Sequence, residues 1–289
     1  LHYNSVASFN SSESWVILST IEENIKRKID NVGIPLYVWD LKIYRGILTG
    51  FNKAFIISGR KRAEIISEDP KSAEIIRPIL RGRDIKRYEY TFADLWLITT
   101  FPSKKYDIDN FPGVKKHLLS FGIHRLEQTG GIHIINGEQI KARKRTNNKW
   151  FETQDSISYW DDFSKQRIVY REISDSMDAC LVEPHYFVNN KCYMISGKHL
   201  IFLLSFFNSK MFHKIIFQRT NITGGKGEAF ISSIRVPIPS KETEEELENL
   251  YYSRNSANES ELRKIEHNVD SIICNLYELS DEEAAYILS

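Results

Sequence analysis

Between Ile168 and Ile195 the chain carries Tyr170, Ile173, Leu181, Val182, Tyr186, Val188, Tyr193 and Ile195, a density of β-favouring residues that predicts strands around an Asn189-Asn190 turn. Leu200 to Phe217 follows as a strongly apolar helix. Further on, Leu262, Ile265, Val269, Ile272 and Leu276 step by three and four, which puts one apolar stripe along a helix. A chain in this order builds a strand-rich body and closes it with a docking helix.

Ahead of that body, Ser14 to Asp30 has Trp15, Leu18, Ile21, Ile25 and Ile29 at helical spacing, with Ser11 or Ser12 as N-cap and an end near Gly33. Leu36 to Ile57, broken by Gly46 and Thr49-Gly50, reads as a hairpin with a tight turn. Asp69-Pro70 starts a short helix that Pro78 limits, because Asp caps free amides and proline fits the first helical position. Phe92 to Phe101 reads as a strand and Gly113 to Phe121 as a short helix. Thr129 to Trp150 loosens into a polar, basic loop. Pro237-Ile-Pro239 ends the body, after which Thr243 with Glu246, and Ser280 with Glu283, have capping-box spacing. The expected organisation is a leading helix and linker over 1–35, a body over 36–240 and an acidic helical segment over 241–289.

With 289 residues, 42% of them hydrophobic, the chain can bury a substantial core. It begins with Leu1 and shows no charged leader with a cleavage site, so it is expected to be an internal fragment whose partner domain lies upstream. The apolar run Leu200 to Leu204 is far short of the roughly 20 residues of a membrane span. Cys180, Cys192 and Cys274 are odd in number and lack metal-ribbon spacing, which suits a reducing cytoplasm. The net charge of +1 conceals a division: residues 241–289 hold four Lys/Arg against 13 Asp/Glu, leaving 35 against 25 in residues 1–240. A basic body with an acidic tail suits contact with phosphates.

The pattern Gly-x-x-Thr-Gly-x-Asn-x-Ala-Phe over Gly46 to Phe55 is followed by Gly-Arg-Asp-Ile over Gly82 to Ile85 and by Lys-Gln-Arg-Ile-Val-Tyr over Lys165 to Tyr170. Leu-Leu-Ser-Phe-Phe-Asn-Ser-Lys over Leu203 to Lys210, the Pro-Ile-Pro exit and the segment Val269 to Glu283 complete the order. In this succession the chain resembles the TaqI-like specificity domain, the target-recognition region of many adenine-specific DNA methyltransferases and fused type II restriction-modification enzymes. The resemblance implies an α+β, antiparallel-strand-rich domain with a leading helix and a C-terminal helical appendage. It implies double-stranded DNA as partner, together with methyltransferase or nuclease domains upstream in the same polypeptide. S-adenosylmethionine and Mg2+ are expected only in those parent domains, and no cofactor or metal in this chain.

Base edges are read by Arg or Lys at guanine and Asn or Gln at adenine, whereas phosphate contacts only position the protein. Lys141, Arg143, Lys144, Arg145 and Lys149 lie within nine residues without an acid among them, and Asn147 interleaves. They predict a DNA-facing loop, with a merely solvated basic loop as the alternative. Thr49, Asn52 and Lys53 put polar tips on a turn, and that turn can equally just shape the fold. Arg81 and Arg83 flank Gly82, and Asp84 can pair with a neighbouring arginine instead of leaving it to phosphate. Arg167 and Arg171 share strand parity and so one face. Lys226 sits in Gly224-Gly-Lys-Gly227 with Arg219, Asn221 and Thr223 nearby; lacking the four-residue spacer and the following Ser or Thr, it reads as a phosphate-touching or plain loop, not a P-loop.

Enzymatic constellations are absent from the sequence. Glu183-Pro-His-Tyr186 lacks the amide or Asp and the second proline of an adenine-methylating motif, no glycine-rich methyl-donor pocket stands out, and His117, His124 and His133 do not share one helix face as metal ligands would. The chain alone is therefore expected to be non-catalytic. Two rivals stay open: a catalytic fragment with an unrecognised site, and an assembly module whose acidic tail binds another protein.

Overall fold

The computed structural model describes residues 19–173, 176–217 and 227–289. Its first helix, Thr20–Val32, is opened by Ser19: the Ser19 amide donates to the Glu22 carboxylate at 2.8 Å, and the Glu22 amide donates back to the Ser19 hydroxyl. Ile25 and Ile29 are buried and Gly33 ends the helix. The anticipated start, with Ser11, Ser12, Trp15 and Leu18, lies outside the described residues.

Twelve short strands are described: β1 (Ile34–Pro35), β2 (Leu41–Arg45), β3 (Ile56–Ser58), β4 (Ile76–Leu80), β5 (Leu95–Ile98), β6 (Ile132–Ile135), β7 (Glu138–Lys141), β8 (Arg167–Arg171), β9 (Ala179–Val182), β10 (Phe187–Val188), β11 (Cys192–Gly197) and β12 (Arg235–Val236). The order β2-β11-β8-β9 makes an antiparallel sheet, and β10-β4-β5-β3 makes a second in which only the β10–β4 pair is parallel. The architecture is α+β.

The first sheet is a wall between two cores, because side chains alternate across a strand. Ile168, Tyr170, Ala179, Leu181 and Ile195 face one core, which they share with Ile25, Phe206, Phe212, Ile265, Ile273 and Tyr277. Val169, Cys180, Val182, Cys192 and Met194 face the other, with Phe55, Ile79, Leu97, Phe101 and Leu118. The acidic segment after residue 240 thus packs into the same core as the leading helix and the sheet. No helix among the described residues is long and apolar enough to cross a membrane.

Several local expectations give way to long-range packing. Leu36 to Ile57 does not close on itself as a hairpin: β2 pairs with β11, while β3 pairs with β5. Gly46 is where the chain passes from one sheet to the other, and a Cβ there would stand 2.1 Å from the Asn189 carbonyl oxygen. A helix over Gly59–Glu68, capped by Ser58, precedes the 3-10 turn over Pro70–Ile75, and Pro78 lies within β4 opposite Trp96. The Asn189-Asn190 turn links strands of different sheets. The apolar helix stops at Phe207 and a π-helical turn follows over Phe212–Phe217. Between them the Asn208 amide donates to the Ala179 carbonyl at 3.0 Å, and this bond to β9 holds the break in place.

Residues 129–150 also contain more order than a loop. β6 and β7 form an antiparallel hairpin whose turn, Asn136-Gly137, has φ of 52° and 82°, the left-handed pair of a two-residue turn. At the C-terminal end, Ser240, and not Thr243, caps the helix Lys241–Ser253 by accepting from the Thr243 amide at 3.2 Å. The Ser280–Glu283 capping box forms as its spacing predicts. On the long helix Glu259–Leu276, Ile265 and Val269 are buried, joined by Ile273 and Cys274.

Candidate nucleic-acid interface

The turn Thr49 to Lys53 is built around one buried hydroxyl. Thr49 Oγ1 donates to Asn52 Oδ1 at 2.7 Å and accepts from the Phe51 amide at 3.2 Å, which leaves Asn52 and Lys53 exposed beyond it. Gly50 sits at a φ of 79°, in the left-handed region that favours glycine.

Arg143 comes up beneath this turn. Its side chain donates to the carbonyls of Leu126 (2.7 Å), Thr49 (2.9 Å), Glu152 (2.8 Å) and Trp150 (2.7 Å), and the residue is only 4% exposed. The guanidinium carbon lies 5.0 Å from the Phe55 ring centroid, near enough for a cation–π contact. Burial pulls its pKa down to about 10, with Glu152 raising it, so it remains charged at neutral pH. The expectation that Arg143 faces DNA is therefore corrected: it staples four stretches of backbone and has little of its fork left for a phosphate. Thr49 is likewise internal.

What Arg143 holds up is a basic concavity of about 530 Å3 lined by Gly50, Phe51, Arg125, Lys141, Lys144 and Arg145. Lys141, Lys144 and Arg145 are exposed, as are Asn147 and Lys149 along the same segment. Arg145 Nε donates to the Thr129 carbonyl at 3.0 Å, and Arg125, which the sequence did not single out, lies over the Phe51 ring and donates to the Lys141 carbonyl at 3.3 Å. The Lys141 and Lys144 ammonium groups have no protein partner among the described residues.

A second concavity of about 420 Å3 is lined by Asn52, Lys53, Arg81, Arg83, Asn189 and Lys191, among others. Here Arg81 is engaged: Nε and Nη2 donate to the two Asp84 oxygens at 2.9 and 2.8 Å, and hydrogen bonding to Asp84 raises the arginine pKa. Arg83 is exposed with no such partner among the described residues, and Lys191 stands 3.8 Å from Glu172. The turn at 49–53 borders both hollows, contributing Gly50 and Phe51 to one and Asn52 and Lys53 to the other.

The sequence profile of the TaqI-like C-terminal specificity domain matches residues 77–231. The chain belongs to that family. Its fold is similar to part of the type IIL restriction-modification enzyme MmeI, solved in complex with DNA, with a TM-score of 0.54 and 14% identity over 89% of this chain and 36% of that one. The type IIG restriction endonuclease BpuSI gives a TM-score of 0.48 and 13% identity over 92% of this chain and 34% of that one. This specificity domain thus spans about a third of the length of the solved chains it matches. None of the curated proteins matches it.

Two further arginines of the specificity domain are held differently from the sequence expectation. Arg167 is fully buried, donating to the Lys165 carbonyl at 2.8 Å and to the Tyr186 carbonyl, so it props the strand end and reaches no groove. Arg171 is ion-paired with Asp178. Lys226, Arg219, Asn221 and Thr223 lie outside the described residues.

The β6–β7 hairpin rises beside the first concavity. On one face Ile132 and Ile134 are 58% and 79% exposed, and their cross-strand partners are Lys141 and Gln139, both exposed. At its base, His124 and His133, which share no local sequence pattern, meet with Glu127.

Proposed function

We propose that this specificity domain selects the DNA sequence on which a parent type II restriction-modification protein acts, with an adenine methyltransferase, fused or not to an endonuclease, upstream. The observation that carries this reading is the gathering of cations without acidic partners among the described residues, Lys53 and Arg83 on one side and Lys141, Lys144 and Arg145 on the other, about one hydrogen-bonded turn. Cations placed on a fixed frame can register phosphates, which position a duplex without specifying its sequence. The β6–β7 ribbon supplies what phosphate contacts lack. A two-stranded ribbon fits the major groove, where Gln139 can accept and donate at adenine and Ile132 or Ile134 can meet a thymine methyl.

In this reading the chain holds duplex DNA against the parent's catalytic domain while the target adenine leaves the stack. S-adenosylmethionine and Mg2+ belong to that parent and the chemistry with them.

Equilibrium binding of duplexes selected from a randomised pool, measured at several salt concentrations, tests the proposal. Preference for a defined sequence together with a steep negative salt slope is expected. Binding with neither sequence preference nor salt dependence would point instead to an assembly module.

A further inference from the structure

His124 stands in the short helix Ile123–Leu126, Glu127 caps that helix, and His133 comes from β6. The two Glu127 oxygens divide between the rings: Oε1 lies 3.8 Å from His124 Nδ1 and Oε2 lies 3.4 Å from His133 Nε2. Charge-assisted hydrogen bonds are about 2.7–2.9 Å, so neither contact is one. Both ring nitrogens are nevertheless shielded from solvent and make no hydrogen bond among the described residues. The rings lie 4.5 Å apart, and one donor atom from each of the three residues falls within 4.8 Å of the others.

Two unpartnered imidazole nitrogens that converge on one carboxylate offer the lone pairs a transition metal requires. A tetrahedral zinc with ligand distances of about 2.0–2.1 Å keeps its donors about 3.4 Å apart, so donors that lie within 4.8 Å of one another have to draw together on the ion, by side-chain rotation of the three residues. Two imidazoles and one carboxylate suit Zn2+, whereas Mg2+ and Ca2+ take oxygen ligands.

We infer that His124, Glu127 and His133 form a zinc-type divalent metal site that pins the β6–β7 hairpin to the helix beneath it. The location gives the pin a purpose. The Glu127 carbonyl accepts from the Arg143 amide at 2.9 Å, so a metal here ties the ribbon to the same frame that holds the basic concavity. Three protein ligands leave a fourth position to water. This inference stands on the cluster's geometry and does not rest on the DNA reading.

The test uses the untagged chain, freed of metal by chelator and titrated with Zn2+ against a chromophoric competitor. One equivalent should bind, and H124Q, H133Q and E127Q should each weaken it by at least about tenfold, while H267Q, on the exposed side of a distant helix, should not. Equal metal-free melting temperatures would show that the variants fold, and the three substitutions give independent readings should one of them not. Hydrogen exchange over residues 132–141 should slow on adding Zn2+ to the unmodified chain and stay unchanged in the variants. No stoichiometric binding, or binding that the three variants retain, overturns the site. Binding that the variants lose without any change in hairpin exchange overturns the pin.

Discussion

Arg143 Nη1 donates to the carbonyl oxygen of Thr49 at 2.9 Å, across 94 residues of sequence. The bond joins the most basic segment of the chain to the turn that borders both hollows, and it makes the arginine an internal strut while Lys144 and Arg145 beside it stay exposed. Position in a basic run therefore says little about role.

Removing the strut should unsettle the whole site. Arg143→Ala takes the donor from the Leu126 and Trp150 carbonyls and one of two donors from those of Thr49, which keeps the Gln154 amide, and Glu152, which keeps Gln128 Nε2; a buried acceptor stripped of its partner costs about 1–3 kcal/mol. We expect a loss of about 3 kcal/mol or more in chemical denaturation, with Arg143→Lys recovering only part because an ammonium cannot reproduce the planar fork. A variant as stable as the unmodified chain would show that the cage does not hold the turn.

Neutralising Lys141, Lys144 and Arg145 together should do the opposite, leaving stability nearly unchanged while weakening binding to every duplex. Each phosphate that a cation neutralises releases about one counterion, so without these three the salt slope should fall by about two to three units. A slope that stays put would take this concavity off the DNA.

The contrast between Arg143 and Lys144 also marks how far the sequence was readable. Ser280 with Glu283 was legible because the two satisfy each other within one turn of a helix, and Ile265 with Val269 because their spacing repeats along one helix face, although the residues that bury them lie far off in sequence. The Asn136-Gly137 turn carried its own local signal, which the surrounding polar residues obscured. Nothing local marks Gly46, whose small size answers to a carbonyl at residue 189, nor distinguishes the caged Arg143 and Arg167 from free cations. Their partners are carbonyls, which every residue possesses, so composition is silent about them.

The helix after residue 258 offers a graded test of burial. Val269 is 4% exposed, whereas Ile272 packs at the margin of the core. Val269→Asp should lower stability by several kcal/mol, since it buries a charge with no partner, and Ile272→Asp should cost clearly less. Equal melting temperatures for the two would mean that the helix does not seat Val269 against the core.

Asp270 predicts a pH dependence. Burial raises its pKa from 3.8, while the hydrogen bond from the Lys210 amide and the charges of Arg87 and Lys210 lower it and Glu266 raises it further, with a net rise. A folded-state pKa above the unfolded one means the folded chain holds the proton more tightly. That contribution is complete below pH 3.8 and is lost as pH climbs through the raised value. Asp270→Asn keeps an oxygen to accept from Lys210 and removes the charge, so it should stabilise the chain most at neutral pH. Denaturant midpoints from pH 4 to pH 8 that run parallel in the two proteins would contradict this.

The ribbon separates reading from positioning. Arg171 is committed to Asp178, which leaves Gln139 as the exposed amide on the outer face of the hairpin, across from Ile134. If Gln139 meets an adenine edge, Gln139→Ala should cost about 1–3 kcal/mol on the selected duplex and relax one base pair of its sequence, without altering the salt slope. Ile134→Ala should act on a neighbouring position, because a thymine methyl there would no longer be covered. Both can be measured with the selected duplex and a scrambled one at two salt concentrations. Equal weakening on both duplexes would assign the ribbon to the phosphates, and no weakening on either would remove it from the DNA and leave sequence choice to another part of the surface.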